Sequence, residues 1–182
     1  IMALQQELHE AKADLLRYLK IDETLHFESL FTLAEGESKF IRDIKVNLKN
    51  TLVSQHLSQK ETALVALAVA INERNEALIR SFTTLAREHG ADAKEIAEVY
   101  ACTSLLATNN VLYRFRHFAA NEKYENIPAR VKMTIMMNPV LGKELFELIS
   151  LVISAVNGCE ACVNSHEASV RALGSPEERI FD

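Results

Sequence analysis

Two stretches of this chain, about 85 residues apart, are written to one plan. The run ALVALAVAINERNEALIRSF, starting at Ala63, falls on LISLVISAVNGCEACVNSHE, starting at Leu148. Each copy is an apolar run, an asparagine break, an amphipathic run and a glycine stop, Gly90 in the first and Gly174 in the second. Ala70-Ile71-Asn72 answers to Ala155-Val156-Asn157, and the stretch after Gly90 (Ala91 to Ile96) answers to Ser175 to Phe181. A unit repeated in this way buries its apolar face against its neighbour, which confines the chain to a duplicated packing of one supersecondary element. In this register Arg74 and Ala77 stand where the second copy has Cys159 and Cys162, and Ser81 stands for His166. The scaffold repeats while the reactive residues occur once, as expected for a site grafted onto a fold.

The element is helical. With 5 glycines and 3 prolines in 182 residues, breakers are too few for a turn-rich β protein. Leu4, Leu8, Ala11, Leu15 and Leu19 recur at helical spacing. So do Phe40, Ile41, Ile44, Leu48 and Leu52, within residues 38–53. Ser58 with Glu61 reads as a capping box ahead of a buried helix. Further helices are expected over 74–88, from Asp92 through Val99 and Leu105 toward Tyr113, and over 143–156. Pro128 and Pro139 punctuate the middle, and Asn157-Gly158 breaks the chain before a new helix carrying the cysteines. No stretch alternates with a period of two, so the fold class is all-α. Residues 1–36 read as an N-terminal helical extension and 37–182 as one domain, its units at about 58–118 and 143–182. The first unit runs helically beyond Ile96 to about Phe118, so a C-terminal helix of the second unit is expected to be absent.

Composition narrows the function. The net charge is −5 with 25% charged residues, and the basic residues are scattered. Arg114, Arg116, Arg130 and Lys132 are too few for a nucleic-acid surface. No apolar run has the length of a membrane span, no basic n-region with an apolar core opens the chain so a signal peptide is not expected, and Ile1 before Met2 reads as a remnant of expression or processing. Three cysteines in 182 residues do not make a disulfide scaffold, so a reducing cytoplasm is the expected setting.

In such a setting a CxxC is redox-active, catalytic or metal-binding. Cys159 in the first turn of a helix would have Cys162 on the same face one turn on, and the helix N-terminus favours a thiolate there. His166, four residues after Cys162, is placed to exchange a proton with it. Glu147, in the preceding apolar helix, is the candidate partner of that histidine, with Glu144 as competitor. The alternatives are a zinc site, with His166 as third ligand and Cys102 or Glu147 as fourth, and a pair of structural cysteines. Haem attachment is excluded by Val163, which stands where that motif needs histidine, and Cys102 reads as a small core residue.

FELISLVISAVNGCEACVNSHEASVRALG, with NNVLYRFRHF (109–118) and RVKMTIMMNP (130–139), resembles the alkylhydroperoxidase D family and its carboxymuconolactone decarboxylase-like fold from about residue 38 onward. The shared pattern is a glutamate, a helical spacer, the CxxC, and a histidine four residues further on. The resemblance implies an all-helical duplicated fold, a homo-oligomer that is often a trimer, and no cofactor or metal. It implies reduction of organic hydroperoxides, with Cys162 attacking, Cys159 resolving, and Glu147 and His166 relaying the proton. Implied partners are a peroxiredoxin and a lipoylated or other dithiol reductant. The chain departs from the pattern at Ala161, where well-known members carry a second histidine, and Glu160 opposes thiolate formation. A thiol–disulfide adaptor with little peroxidase activity is therefore the alternative. The true decarboxylases lack the cysteine pair.

Overall fold

A computed structural model describes residues 2–182, and these are helical without a strand. The helices pack as two compact units, 1–54 and 55–182.

The first unit holds α1 (Met2–Tyr18), α2 (Glu28–Glu35) and α3 (Phe40–Thr51). Leu8, Ala34 and Ile41, one from each helix, form its fully buried centre, with Leu4, Ala11 and Leu33 against it. Lys45 pairs with Asp14 at 2.5 Å and Arg42 with Glu7 at 2.7 Å, tying α3 to α1. The sequence pattern places a boundary at residue 36, whereas the packing places it after Ser54, because α3 lies on α1 and α2. Helix α2 is not foreshadowed by the sequence. Its N-cap is Phe27, whose side chain makes no capping bond, so no start signal precedes it.

The second unit contains α4 (Gln59–Asn72), α5 (Glu76–Glu88), α6 (Ala93–Ala119), α7 (Glu122–Glu125), a 3₁₀ turn at Thr134–Met136, α8 (Lys143–Val156), α9 (Glu160–Ala172) and α10 (Glu177–Phe181). α4 and α5 form one helical hairpin and α8 and α9 the other. The long α6 packs on α4, α8 and α9, and α4 packs on α8. Leu64, Leu67, Val99, Leu106, Phe146, Ile149 and Ile153 fill the core between them.

The expected start signals are present. Ser58 Oγ accepts from the Glu61 amide at 3.2 Å while Glu61 Oε2 accepts from the Ser58 amide at 2.8 Å. Asp92 and Glu95 close a second capping box at the head of α6.

Helix ends set the register of the repeat, and they correct it by one residue. α4 starts at 59 and α8 at 143, α5 at 76 and α9 at 160, so the shift is 84 in both cases. The residues equivalent to Cys159, Cys162 and His166 are therefore Asn75, Leu78 and Phe82, not Arg74, Ala77 and Ser81. The Ala-x-Asn identity draws the sequence alignment one step too far. Asn72 ends α4, whereas Asn157 is the residue just past the end of α8.

Candidate functional site: a disulfide at a helix N-terminus

The tight turn before the cysteines closes with 6→1 geometry. The Cys159 amide donates to the Ser154 carbonyl at 3.0 Å while Gly158 takes φ +67°, the left-handed conformation that such a helix stop requires. Cys159 is then the N-cap residue of α9, in extended conformation, rather than a member of its first turn as expected. Cys162 is one turn inside. The two are joined as a disulfide with their Cα atoms 5.3 Å apart, within the range a disulfide spans. Cys159 is fully buried and Cys162 is 6% exposed, so what little access the pair has is to Cys162.

Comparison with the first copy shows what the side chain at this place does in each hairpin. Asn75, the equivalent of Cys159, caps α5 by accepting the Leu78 amide on its side-chain oxygen at 3.1 Å. Cys159 makes no such side-chain bond in the disulfide. A thiolate at either cysteine would sit among free amides at the positive end of α9.

His166, four residues after Cys162, finds its partner in the preceding helix. Its Nδ1 lies 2.7 Å from Glu147 Oε2, and both side chains are largely buried at 12% and 18% exposure. The crossing of α8 and α9 thus brings together two residues 19 positions apart. With Nδ1 engaged by the carboxylate, Nε2 is the ring nitrogen left for a proton. Glu147 also lines an open cleft of about 310 Å³ with Lys143, Phe146, Ser169, Leu173 and Met136.

Glu144, the competitor, faces elsewhere. It accepts from Arg179 Nε at 2.9 Å and from Ser175 Oγ, and the guanidinium holds its carboxyl below the usual carboxylate range. Cys102 lies buried in α6 with its sulfur 3.5 Å from Ser150 Oγ, and burial pushes its thiol up to about 12, leaving an inert core thiol. Among the described residues no group of three His, Cys, Asp or Glu side chains is placed to hold a metal ion.

Pattern reasoning missed the residues that hold the loop ahead of the cysteines. Asn157 exchanges amide bonds with Asn72 in both directions, at 2.9 and 3.1 Å, and donates to Asn110 Oδ1 at 3.0 Å. Asn110 in turn donates to Ser154 Oγ at 3.0 Å. The guanidinium of Arg114 donates to the Asn157 carbonyl. A signal exists, in that asparagines recur at the breaks, but in sequence it reads as punctuation.

The chain thus pairs two helical hairpins of one plan, of which one carries a CxxC with a paired Glu and His beside it. The chain belongs to the carboxymuconolactone decarboxylase family, whose profile matches residues 46–120 and 122–182. Among curated proteins it is similar to the alkyl hydroperoxide reductase AhpD of Rhodopseudomonas palustris (strain BisB18), at 36% identity over 146 residues and 80% of each chain. It is likewise similar to the alkyl hydroperoxide reductase AhpD of Anaeromyxobacter dehalogenans (strain 2CP-1 / ATCC BAA-258), at 40% identity over 154 residues, 85% of this chain and 82% of the relative. Among the described residues no helix is long and apolar enough to cross a membrane.

Proposed function

We propose that the chain is a thiol-dependent antioxidant enzyme that reduces organic hydroperoxides through Cys159 and Cys162. The observation that carries this is the 2.7 Å contact of Glu147 with His166, one helical turn beyond Cys162. A buried carboxylate–imidazole pair beside a disulfide is a device for moving protons at a thiol, and a structural disulfide has no need of one. The relatives named as alkyl hydroperoxide reductases supply the class of substrate.

Each residue has one task in the proposed cycle. Glu147 fixes the His166 tautomer, so Nε2 takes the proton of the Cys162 thiol. The thiolate attacks the terminal oxygen of R–O–O–H and the O–O bond breaks. The departing alkoxide takes a proton from His166 and leaves as the alcohol, and Cys162 becomes a sulfenic acid. Cys159 then attacks that sulfur. Hydroxide departs and is protonated to water, and the disulfide forms. An external dithiol returns two electrons and two protons by thiol–disulfide exchange. A peroxiredoxin partner, a lipoylated or other dithiol reductant, a homo-oligomer and a cytoplasmic setting belong to the same proposal.

The low exposure of both sulfurs and the alanine at position 161 favour the second reading, an adaptor that reduces a partner peroxiredoxin. One experiment separates them. Fully reduced protein is mixed with one equivalent of cumene hydroperoxide, and free thiols and intact mass are followed with Cys159→Ser and Cys162→Ser alongside. The peroxidase reading expects rapid loss of both thiols in the parent and a trapped sulfenic acid in Cys159→Ser alone. A parent no faster than Cys162→Ser sinks it and leaves the adaptor.

A further inference from the structure

Cys159 stands between two helix ends of opposite sign. Ahead of it, Asn157 terminates α8, and that end of the helix dipole carries a partial negative charge although the turn amides bond the Ile153, Ser154 and Ala155 carbonyls. Behind it, α9 begins with free amides and a partial positive charge. The first end opposes a thiolate and the second favours it. The Arg114 guanidinium, reaching across from α6, donates to the Asn157 carbonyl and so lies on the unfavourable end. Arginine keeps its charge at every working pH, which makes the correction permanent.

We propose that Arg114 is a positioning residue of the redox pair: by placing a fixed cation on the α8 end it cancels the opposing dipole and leaves the α9 end to stabilise the thiolate. This rests on the redox reading of the CxxC given above. The other charged groups near the pair are Glu160 with His117, His166 with Glu147, and Glu73, which accepts from Asn72 at 3.0 Å. Glu160, in the first turn of α9, opposes the thiolate but is largely exposed and faces His117 of α6 at 3.4 Å. His166 and Glu147 face each other across α9 and α8 and form a net-neutral pair when the imidazole is charged. Asn72 and Asn110 hold the same loop without charge, which provides an internal control.

The test uses fully reduced full-length protein and the rate of thiol alkylation by iodoacetamide as a function of pH, with no peroxide present. Removing a cation from a partly buried helix end is expected to slow alkylation of Arg114→Met roughly three- to tenfold below the ionisation midpoint, with the midpoint displaced upward. Arg114→Lys is expected to stay within about twofold of the parent because the charge remains. Asn72→Ala is expected to melt earlier with an unchanged alkylation profile. Coincident profiles for Arg114→Met and the parent overturn the proposal. So does a shift in Arg114→Lys or Asn72→Ala as large as in Arg114→Met, because loop geometry would then be the cause. Should Arg114→Met fail to keep the parent's far-UV circular dichroism, Arg114→Gln replaces it. Failure of peroxide turnover in the parent would leave this outcome untouched, so the two proposals fail separately.

Discussion

The two hairpins of the second unit share helix lengths, break and stop, yet they differ at each place where charge or reactivity matters. Where α5 is capped by an asparagine, α9 begins on a cysteine. Where α4 has Ala63, α8 has Glu147, and where α5 has Phe82, buried at 5% exposure, α9 has His166. An apolar pair in one copy has become an ion-pairing pair in the other at the same backbone positions. The lesson is that the fold does not require the Glu–His pair: the equivalent places are filled by ordinary core residues in the first copy, which supports the chemical role proposed for it. The sharpest way to break this comparison is to neutralise the relay while keeping its shape. Glu147→Gln preserves the volume but removes the charge that holds the His166 ring through Nδ1. Peroxide-driven thiol oxidation is expected to fall about 100-fold, the lower range for a lost proton-transfer partner, with the melting temperature nearly unchanged. A variant that melts normally and reacts at the parent's rate would show the pair to be packing after all.

Charge is also reversed across the repeat. Lys60 of α4 donates to Glu95 of α6 at 2.7 Å in the first copy. Its equivalent is Glu144 of α8, which accepts from Arg179 of α10 at 2.9 Å. The reversed pair does more, because Arg179 also reaches Glu61 at 2.7 Å and the His56 carbonyl at 2.6 Å, and so links α10 to both hairpins. Arg179→Met leaves Glu61 and Glu144 partly buried near each other without the cation that bridges them. A loss of about 1–2 kcal/mol is expected, discounted from the fully buried case because the carboxylates are 23% and 29% exposed. Lys60→Met is expected to cost about 0.5 kcal/mol, since its side chain is 35% exposed. The pH dependence has a definite sign. Burial raises the Glu61 carboxyl, but its bonds from Arg179 and Ser58 outweigh that and hold it low; for Glu144 the Arg179 bond leads. A depressed carboxyl contributes stability that is present above its unfolded value, near 4.3, and is lost as the pH falls through the lower folded value. Urea unfolding at pH 7 and pH 3 should show the gap between parent and Arg179→Met narrowing in acid. A constant gap would mean that the cluster acts through packing alone.

How much of this is legible in the sequence follows from where the signals lie. Ser58, Glu61 and Asp92 announce their helices because a capping oxygen three residues from its amide is a local pattern. The Cys159–Cys162–His166 spacing is likewise local, and the Glu147 partnership needs only the hairpin to close. The repeat register slips because residue identity at Asn72 and Asn157 outranks helix ends, and in the fold those two asparagines are bonded to one another rather than equivalent. Arg114 reads as one of a scattered set of cations, since its role depends on α6 crossing the end of α8, a distance of 43 residues along the chain. Contacts of that kind are set by tertiary packing and leave no periodic trace.

The smallest difference between the copies sharpens the comparison most cleanly, because it involves backbone alone. The stop after α4 is closed by Arg74 at φ +55°, and the stop after α8 by Gly158 at φ +67°. Both stops make the same 6→1 bond, from the Asn75 amide to Ala70 and from the Cys159 amide to Ser154, each at 3.0 Å. A Cβ built on Gly158 meets nothing within 4 Å, so no neighbour demands glycine there. The only penalty for a side chain is the left-handed conformation itself, on the order of 1 kcal/mol. The first copy carries that penalty at Arg74 and the second does not. Arg74→Gly is therefore expected to relieve it, partly offset by the extra freedom glycine has in the unfolded chain, for a net gain of about 0.5 kcal/mol in urea unfolding. Gly158→Ala should lose a similar amount while the alkylation profile of the cysteines stays in place. If Gly158→Ala instead shifts that profile, glycine is required at the second stop by the redox loop and not merely tolerated, and the two stops are alike in geometry but not in purpose.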